Sequence, residues 1–316
     1  MIAPDTLRAD RWQLRTRTLP LGNLPLLMGI INVTPDSFFD GGQFSRNRER
    51  ENEAARESAA EASPDFTPFS AVFDPAAAVA HGLRLAFEGA EILDIGGQST
   101  RPGSQPISAE EELRRVVPVV AALRQQTSLP ISIDTAKAVV ARAALEAGAE
   151  VINDITALSG DPDMLLLAAE AGCGVCAMHM QGTPQTMQHA PIYENVVEEI
   201  LEYLRSRRDA LLAAGIPQTR IALDPGIGFG KTVEHNLALL RNAWRLHALG
   251  CPVLVGHSQK RFIGDVLGEG NVDRTAGTIG VALSLARQGV QILRVHQVAV
   301  VRQALRLFEA SGGLKA

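Results

Sequence analysis

Cysteine is scarce in this chain, and the three present cannot build a disulfide framework. Cys173 and Cys176 form a lone C-x-x-C with Gly-Val between them, at the start of an apolar run. A zinc site normally takes four ligands and no second pair exists, so buried structural thiols are expected. Long apolar runs are missing as well. None approaches the roughly 18 residues of a membrane helix, and the charged N-terminal stretch lacks the apolar core of a secretory signal. A basic excess is also absent. With a formal net charge of −5, no global field invites nucleic acid, and any anionic ligand must be met by local cations. These absences predict a cytoplasmic protein that acts on small molecules. A nucleotide loop is missing too. In Pro225-Gly226-Ile227-Gly228-Phe229-Gly230-Lys231-Thr232 a proline stands where G-x-x-x-x-G-K-[ST] needs glycine, and the glycine spacing does not fit G-x-G-x-x-G.

What the chain does have is a rhythm. Eight short apolar runs fall at 26–33, 91–97, 130–135, 150–155, 174–180, 220–226, 252–258 and 291–298, and helical patterns separate them. Continuous apolar runs suit parallel strands buried on both faces, with crossover helices between them. Eight such repeats in 316 residues predict an α/β fold, a (β/α)8 barrel in a single domain. A doubly wound sheet, the alternative, usually has fewer strands and one dominant glycine loop. Glycine follows the helical patterns at 89, 148, 172, 250 and 289, as a left-handed C-cap requires. One segment breaks the rhythm. Residues 43–73, charged and alanine-rich and then carrying Pro and Phe, form a long insertion after the first strand, with a short helix expected near 49–62.

In a barrel of this kind the chemistry sits at the carboxyl ends of the strands. All eight exits are polar here, and the strand starts carry no comparable cluster. One or two such residues could simply cap the next helix, but eight together predict a site. Asp134, Asn153, Asp224 and Lys260 can surround a flat heterocycle that has a donor–acceptor edge. The alternative makes Asp134 or Asp224 a helix cap and Lys260 a solvated loop cation. Asn32, Thr100, Arg101, Arg294 and His296 form a second set. Arg101 and Arg294 can grip phosphate in a bidentate way, and Asn32 can supply one of the one or two protein oxygens that a phosphate-bound Mg²⁺ needs. Together the two sets suggest transfer chemistry on a heterocyclic diphosphate.

The chain resembles the dihydropteroate synthase family of pterin-binding barrels. The resemblance lies in INVTPDSFFDGG, GAEILDIGGQSTRPGS, ISIDTAKAVVARAALEAGAEVINDI, MHMQGTPQTMQ, IALDPGIGFGKT, GHSQKRFIG and RVH, which run in the family's order from about 26 to 298. It implies a (β/α)8 barrel, commonly dimeric. The reaction it implies joins 6-hydroxymethyl-7,8-dihydropterin diphosphate to p-aminobenzoate, releasing diphosphate, with sulfonamides competing for the amine's place. It further implies pterin binding by Asp134, Asn153, Met178, Asp224 and Lys260, and a magnesium ligand in Asn32. Thr100, Arg101, Phe229, Ser258, Arg294 and His296 fall to the diphosphate and p-aminobenzoate. Asp134, Asp224, Lys260 and Arg294 are the catalytic candidates, and Thr34–Gly42 would close over the diphosphate. The chain departs from the family pattern at Gln98 (usually Glu), Gln259 (usually Arg), Gln297 (usually Asp) and the long insertion. These changes bear on the amine site and inhibitor response. The rival readings are a methyltetrahydrofolate-dependent methyltransferase and a non-catalytic pterin-binding paralogue.

Overall fold

The computed structural model describes residues 8–34, 74–268 and 273–314. The 43–73 insertion, its expected helix and all of the Thr34–Gly42 loop beyond Thr34 lie outside the described residues.

A two-stranded antiparallel hairpin comes first, β1 (Arg11–Gln13) and β2 (Thr18–Pro20). Eight parallel strands follow: β3 (Leu26–Asn32), β4 (Ile92–Gly96), β5 (Ile131–Asp134), β6 (Val151–Asp154), β7 (Gly174–Met178), β8 (Ile221–Asp224), β9 (Leu254–Val255) and β10 (Ile292–Val295). They pair in the order β8-β7-β6-β5-β4-β3-β10-β9. The ring closes where the Leu223 N–H donates to the Pro252 carbonyl at 2.9 Å, beside a parallel bridge from Leu223 to Val253. The helices between strands are α1 (Pro75–Glu88), α2 (Ala109–Gln126), α3 (Ala138–Glu146), α4 (Met164–Ala171), α5 (Val196–Ala213), α6 (Val233–Arg241), α7 (Arg261–Leu267), α8 (Thr275–Arg287) and α9 (Val298–Ala310). The expected (β/α)8 barrel is the observed one.

Local chemistry sets the helix limits. Asp74 caps α1 ahead of Pro75, Ser108 and Asn195 cap α2 and α5, and Thr232 forms a capping box with His235 on α6. The outer core lies between strands and helices, with Val119, Leu123, Ile133 and Leu204 among its fully buried members.

The barrel interior is what positions the site. At its base Met28, Ile92, Val151, Cys176, Ala222, Leu254 and Ile292 cluster with Trp12, Leu14 and Leu21 of the hairpin segment. The hairpin thus plugs the amino-terminal end, and the Trp12 indole N–H donates to the Arg220 carbonyl at 3.0 Å. Cys176 belongs to this floor, Cys173 is buried outside it, and both thiols are free, as expected. Burial pushes Cys173 up to about 11.

Strand starts are less apolar than the sequence suggested. Glu150, 2% exposed, takes Arg17 at 2.8 Å, Arg124 at 3.4 Å and the Thr16 hydroxyl at 2.6 Å. Buried Gln291 bonds the Val253 N–H and the Ala9 carbonyl. These groups tie the hairpin to the barrel's base. Their polar groups are satisfied within the protein.

Candidate active site

Side chains alternate faces along a strand, so two residues beyond the apolar floor the same inward face recurs. There the composition changes. Asp94, Asp134, Asn153, Met178, Asp224, Gly256 and Arg294 follow Ile92, Ser132, Val151, Cys176, Ala222, Leu254 and Ile292. The floor is oily and the next layer is charged.

Arg294 organises that layer. Its Nε donates to Asp94 Oδ2 at 2.5 Å and its Nη2 to Asp134 Oδ2 at 2.6 Å. Asn153 Nδ2 reaches both oxygens of Asp94 at 3.3 and 3.4 Å. The sequence assigns Arg294 to phosphate; in the structure its guanidinium is shared between Asp94 and Asp134. Asp94, fully buried, was missing from the expected site. Its signal was present: a charge inside the apolar run ILDIG, in register with Ile30 and Ser132 on the neighbouring strands. Burial, with Asp94 and Glu112 nearby, raises Asp134 to about 7 against the pull of Arg294.

Asp224 ends β8. Its Oδ1 accepts from the Gly226 N–H at 2.7 Å, and burial raises it to about 6 against that bond and the charges of Lys260 and Lys231. Neither Asp134 nor Asp224 caps a helix. The α3 helix starts after Lys137 without a side-chain cap, and α6 is capped by Thr232. Gly256 lies between Asp224 and Arg294, since a Cβ there would stand 3.9 Å from both. A methyl group there would make ordinary van der Waals contact with both.

Lys260 is not a loop cation in solvent. Its Nζ sits 4.1 Å from the Phe229 ring centroid. Burial and Arg294 lower it to about 8, with Asp224 and Asp134 opposing. Phe229 packs with Met178 and Met187 into an apolar wall beside Ile155 and Met180. Ile155, at the end of the apolar run 150–155, and Met187, within MHMQGTPQTMQ, have no site role assigned from the sequence. Ser258 Oγ accepts from the His296 N–H at 3.3 Å and pairs with its Nδ1 at 3.1 Å. Burial, Arg294 and Lys260 hold His296 neutral, down at about 3. Arg101 is exposed on a turn in which the Ser104 N–H donates to its carbonyl, and its charge is felt at His296. Thr100 lies half-buried on the same turn and makes no hydrogen bond to the charged layer among the described residues.

The loop that failed as a nucleotide motif has an inward task. Lys231 is buried, donating to the Phe229 carbonyl at 2.8 Å and meeting His179 Nδ1 at 3.0 Å. Burial lowers Lys231 to about 7, and burial with the Lys231 charge holds His179 at about 3. A neutral His179 accepts at Nδ1, and its ring meets Tyr203 edge-on at 4.7 Å. Gly226, at φ +68°, permits this packing, since a Cβ there would sit 1.9 Å from the His179 carbonyl oxygen.

For magnesium, Asn32 is half-buried at the end of β3, in register with Gly96. Among the described residues no group of three His, Cys, Asp or Glu stands ready to hold a metal. A lone amide oxygen suits a hard cation that brings most of its ligands on a phosphate.

Residues 62–296 match the model of the pterin binding enzyme family. The dihydropteroate synthase of Neisseria meningitidis serogroup B is 43% identical over 293 residues, covering 91% of this chain and 93% of that one. This chain belongs to the dihydropteroate synthase family of pterin-binding enzymes. The Escherichia coli relative is 42% identical over 287 residues, 91% of this chain and 92% of its own length. Among solved structures, Xanthomonas albilineans dihydropteroate synthase with 4-aminobenzoic acid superposes with a TM-score of 0.80, at 43% identity over 96% of this chain and 98% of that one. The Yersinia pestis enzyme in a sulfonamide drug complex gives 0.81, at 39% identity over 96% and 99%.

The departures from the family pattern each have partners here. The Gln98 Oε1 accepts from Lys137 Nζ at 2.7 Å and from the Ile107 N–H. Gln259 and Gln297 bond each other.

Proposed function

We propose that this protein joins 6-hydroxymethyl-7,8-dihydropterin diphosphate to p-aminobenzoate, forming 7,8-dihydropteroate and diphosphate for folate synthesis. The observation that carries this reading is the charged layer over an oily floor. Asp94, Asp134, Asn153, Asp224, Lys260 and Arg294 share one barrel mouth, in a chain of this family.

Asp134, Asn153 and Asp224 accept from the ring N–H and amino groups, Lys260 donates to a ring oxygen or nitrogen, and Met178 packs on the ring. Donors arriving at the two raised carboxylates favour their ionised forms. The exocyclic C–O bond breaks first and its electron pair leaves with the diphosphate. Arg101 and Arg294 offset the departing charge, electrostatic stabilisation of the kind that is often the largest catalytic contribution. The Asn32 amide oxygen would hold a Mg²⁺ brought in on the diphosphate, and the ion would supply further charge neutralisation there. Positive charge on the methylene is stabilised by Asp134 and Asp224. The arylamine nitrogen then forms the C–N bond and sheds a proton to solvent. An arylamine is weakly basic, so no strong general base is required. Phe229, Ser258, Thr100 and His296 bound the amine's side.

The same reading makes the chain one pterin-binding domain that works in the cytoplasm. It further makes it a homodimer, a state supported by exposed Val266 and Leu267 on α7 and Leu307 on α9. No helix among the described residues is long and apolar enough to cross a membrane.

Purified protein with Mg²⁺ and the pterin diphosphate should release diphosphate only when p-aminobenzoate is added. Ligand binding without release would favour a non-catalytic paralogue. Methyl transfer from a methylated folate would favour the methyltransferase.

A further inference from the structure

Two departures from the family pattern, 38 residues apart in sequence, meet in space. Gln259 Nε2 donates to Gln297 Oε1 at 3.0 Å. Thr275 Oγ1, on the first turn of α8, lies 2.9 Å from that same oxygen and 3.4 Å from Gln259 Nε2. The Gln259 backbone is held as firmly. Its N–H donates to Thr278 Oγ1 at 3.1 Å, and its carbonyl accepts from Arg274 Nη1 at 3.0 Å. It needs that support, because its φ is +59°, a conformation that a non-glycine residue keeps only where its surroundings over-determine it.

What flanks this knot gives it a role. Ser258 precedes Gln259 and bonds His296, while Lys260 follows and lies over Phe229. Gln297 directly follows His296, three residues beyond Arg294. The amide pair therefore ties the loop after β9 to the loop after β10, the two loops that hold Ser258, Lys260 and His296. Arg274 adjoins the pair, Lys260 is its chain neighbour and the Asp273 carboxylate meets the same Thr275 hydroxyl at 2.6 Å, so a lone added charge there would not be neutral in effect.

We propose that Gln259 and Gln297 form an uncharged lock that sets the stance of Ser258 against His296, which makes both glutamines positioning residues for the amine half of the reaction. The inference rests on the assignment of this rim to p-aminobenzoate. The lock replaces a missing cation and a missing anion together, so these two changes cancel in charge, and only Gln98 shifts the rim's balance relative to the family pattern.

Steady-state kinetics on single and paired variants test it. Gln259→Ala and Gln297→Ala should each raise KM for p-aminobenzoate by roughly tenfold, with kcat and the KM for pterin diphosphate within about twofold of the parent. The double alanine variant should be no worse than the poorer single one, because each single change already opens the lock. Gln259→Arg alone should also raise that KM. Gln259→Arg with Gln297→Asp should restore it, and the ratio of its KM to the parent's should then grow with added salt, since an exposed ion pair is screened where an amide pair is not. Additive alanine effects, or an unchanged amine KM beside a lowered melting temperature, overturn the lock. Should an alanine variant fail to fold, the Arg–Asp pair carries the test alone, and failure to restore KM rejects the proposal. Asp224→Asn in the same assay separates the two levels. If it leaves the pterin KM intact, the reading of the rim falls. If it cripples binding while Gln259→Ala is silent, only the lock falls.

Discussion

Arg294 shows how one residue can hold up both the stability and the chemistry of a site. It is the partner of two acids, Asp94, fully buried, and Asp134, whose side chain is 12% exposed. Removing it strands both charges, and breaking a buried pair from one side costs about 3–5 kcal/mol. Arg294→Ala should therefore lower unfolding free energy by about that amount as well as abolish turnover, measured by urea denaturation. Lys231 acts at longer range. Its charge helps keep Asp224 ionised, though no carboxylate of the described residues lies within ion-pair distance of it. Lys231→Met should move the acid limb of kcat/KM for pterin diphosphate to higher pH, so activity falls by a larger factor at about pH 6 than at about pH 8. An unmoved limb would show that Lys231 serves only packing.

The hairpin of β1 and β2 is the element that most clearly separates stability from function. Trp12 and Leu14 close the end of the barrel opposite the charged layer. Trp12→Ala should cost about 3–5 kcal/mol in a urea melt, while kcat at a temperature where the protein stays folded should remain within about twofold. The hairpin buries its apolar side against a floor drawn from seven of the eight barrel strands, so its loss is felt all round the base.

Across the whole molecule, buried titratable groups oppose one another. His179, His257 and His296 are held neutral at about 3, 4 and 3, whereas each takes a proton near 6.5 once unfolded. Between about pH 4 and pH 6 the unfolded chain therefore binds three protons that the folded one refuses, and stability falls with acid. Asp134 and Asp224, raised to about 7 and 6, work the other way, because the folded state keeps protons that the unfolded state has lost. Burial also lowers His81 and His247 and raises Glu91 and Asp154, so five histidines face four carboxylates and stability rises with pH across that window. Urea midpoints measured from pH 4 to pH 6 should rise accordingly, and His257→Gln should flatten the trend.

The strands, the barrel and the side of it that carries chemistry were all legible in the chain. Apolar runs at regular spacing leave parallel strands few other arrangements, and polar exits mark one end. Asp134, Asn153, Asp224 and Lys260 could be read as one group because each ends or follows a strand. Asp94 and Lys231 stood out at the strand exits but could not be given partners, since an acid within an apolar run and a lysine in a glycine loop have many possible surroundings until the strands are in register. Tertiary structure alone decided that Arg294 would face two carboxylates, that His179 would brace Lys231, and that Gln259 would find Gln297. Periodicity along the chain determines which face a residue takes. Which distant residue meets it there depends on ring closure and on the paths of the loops, and no local pattern encodes either.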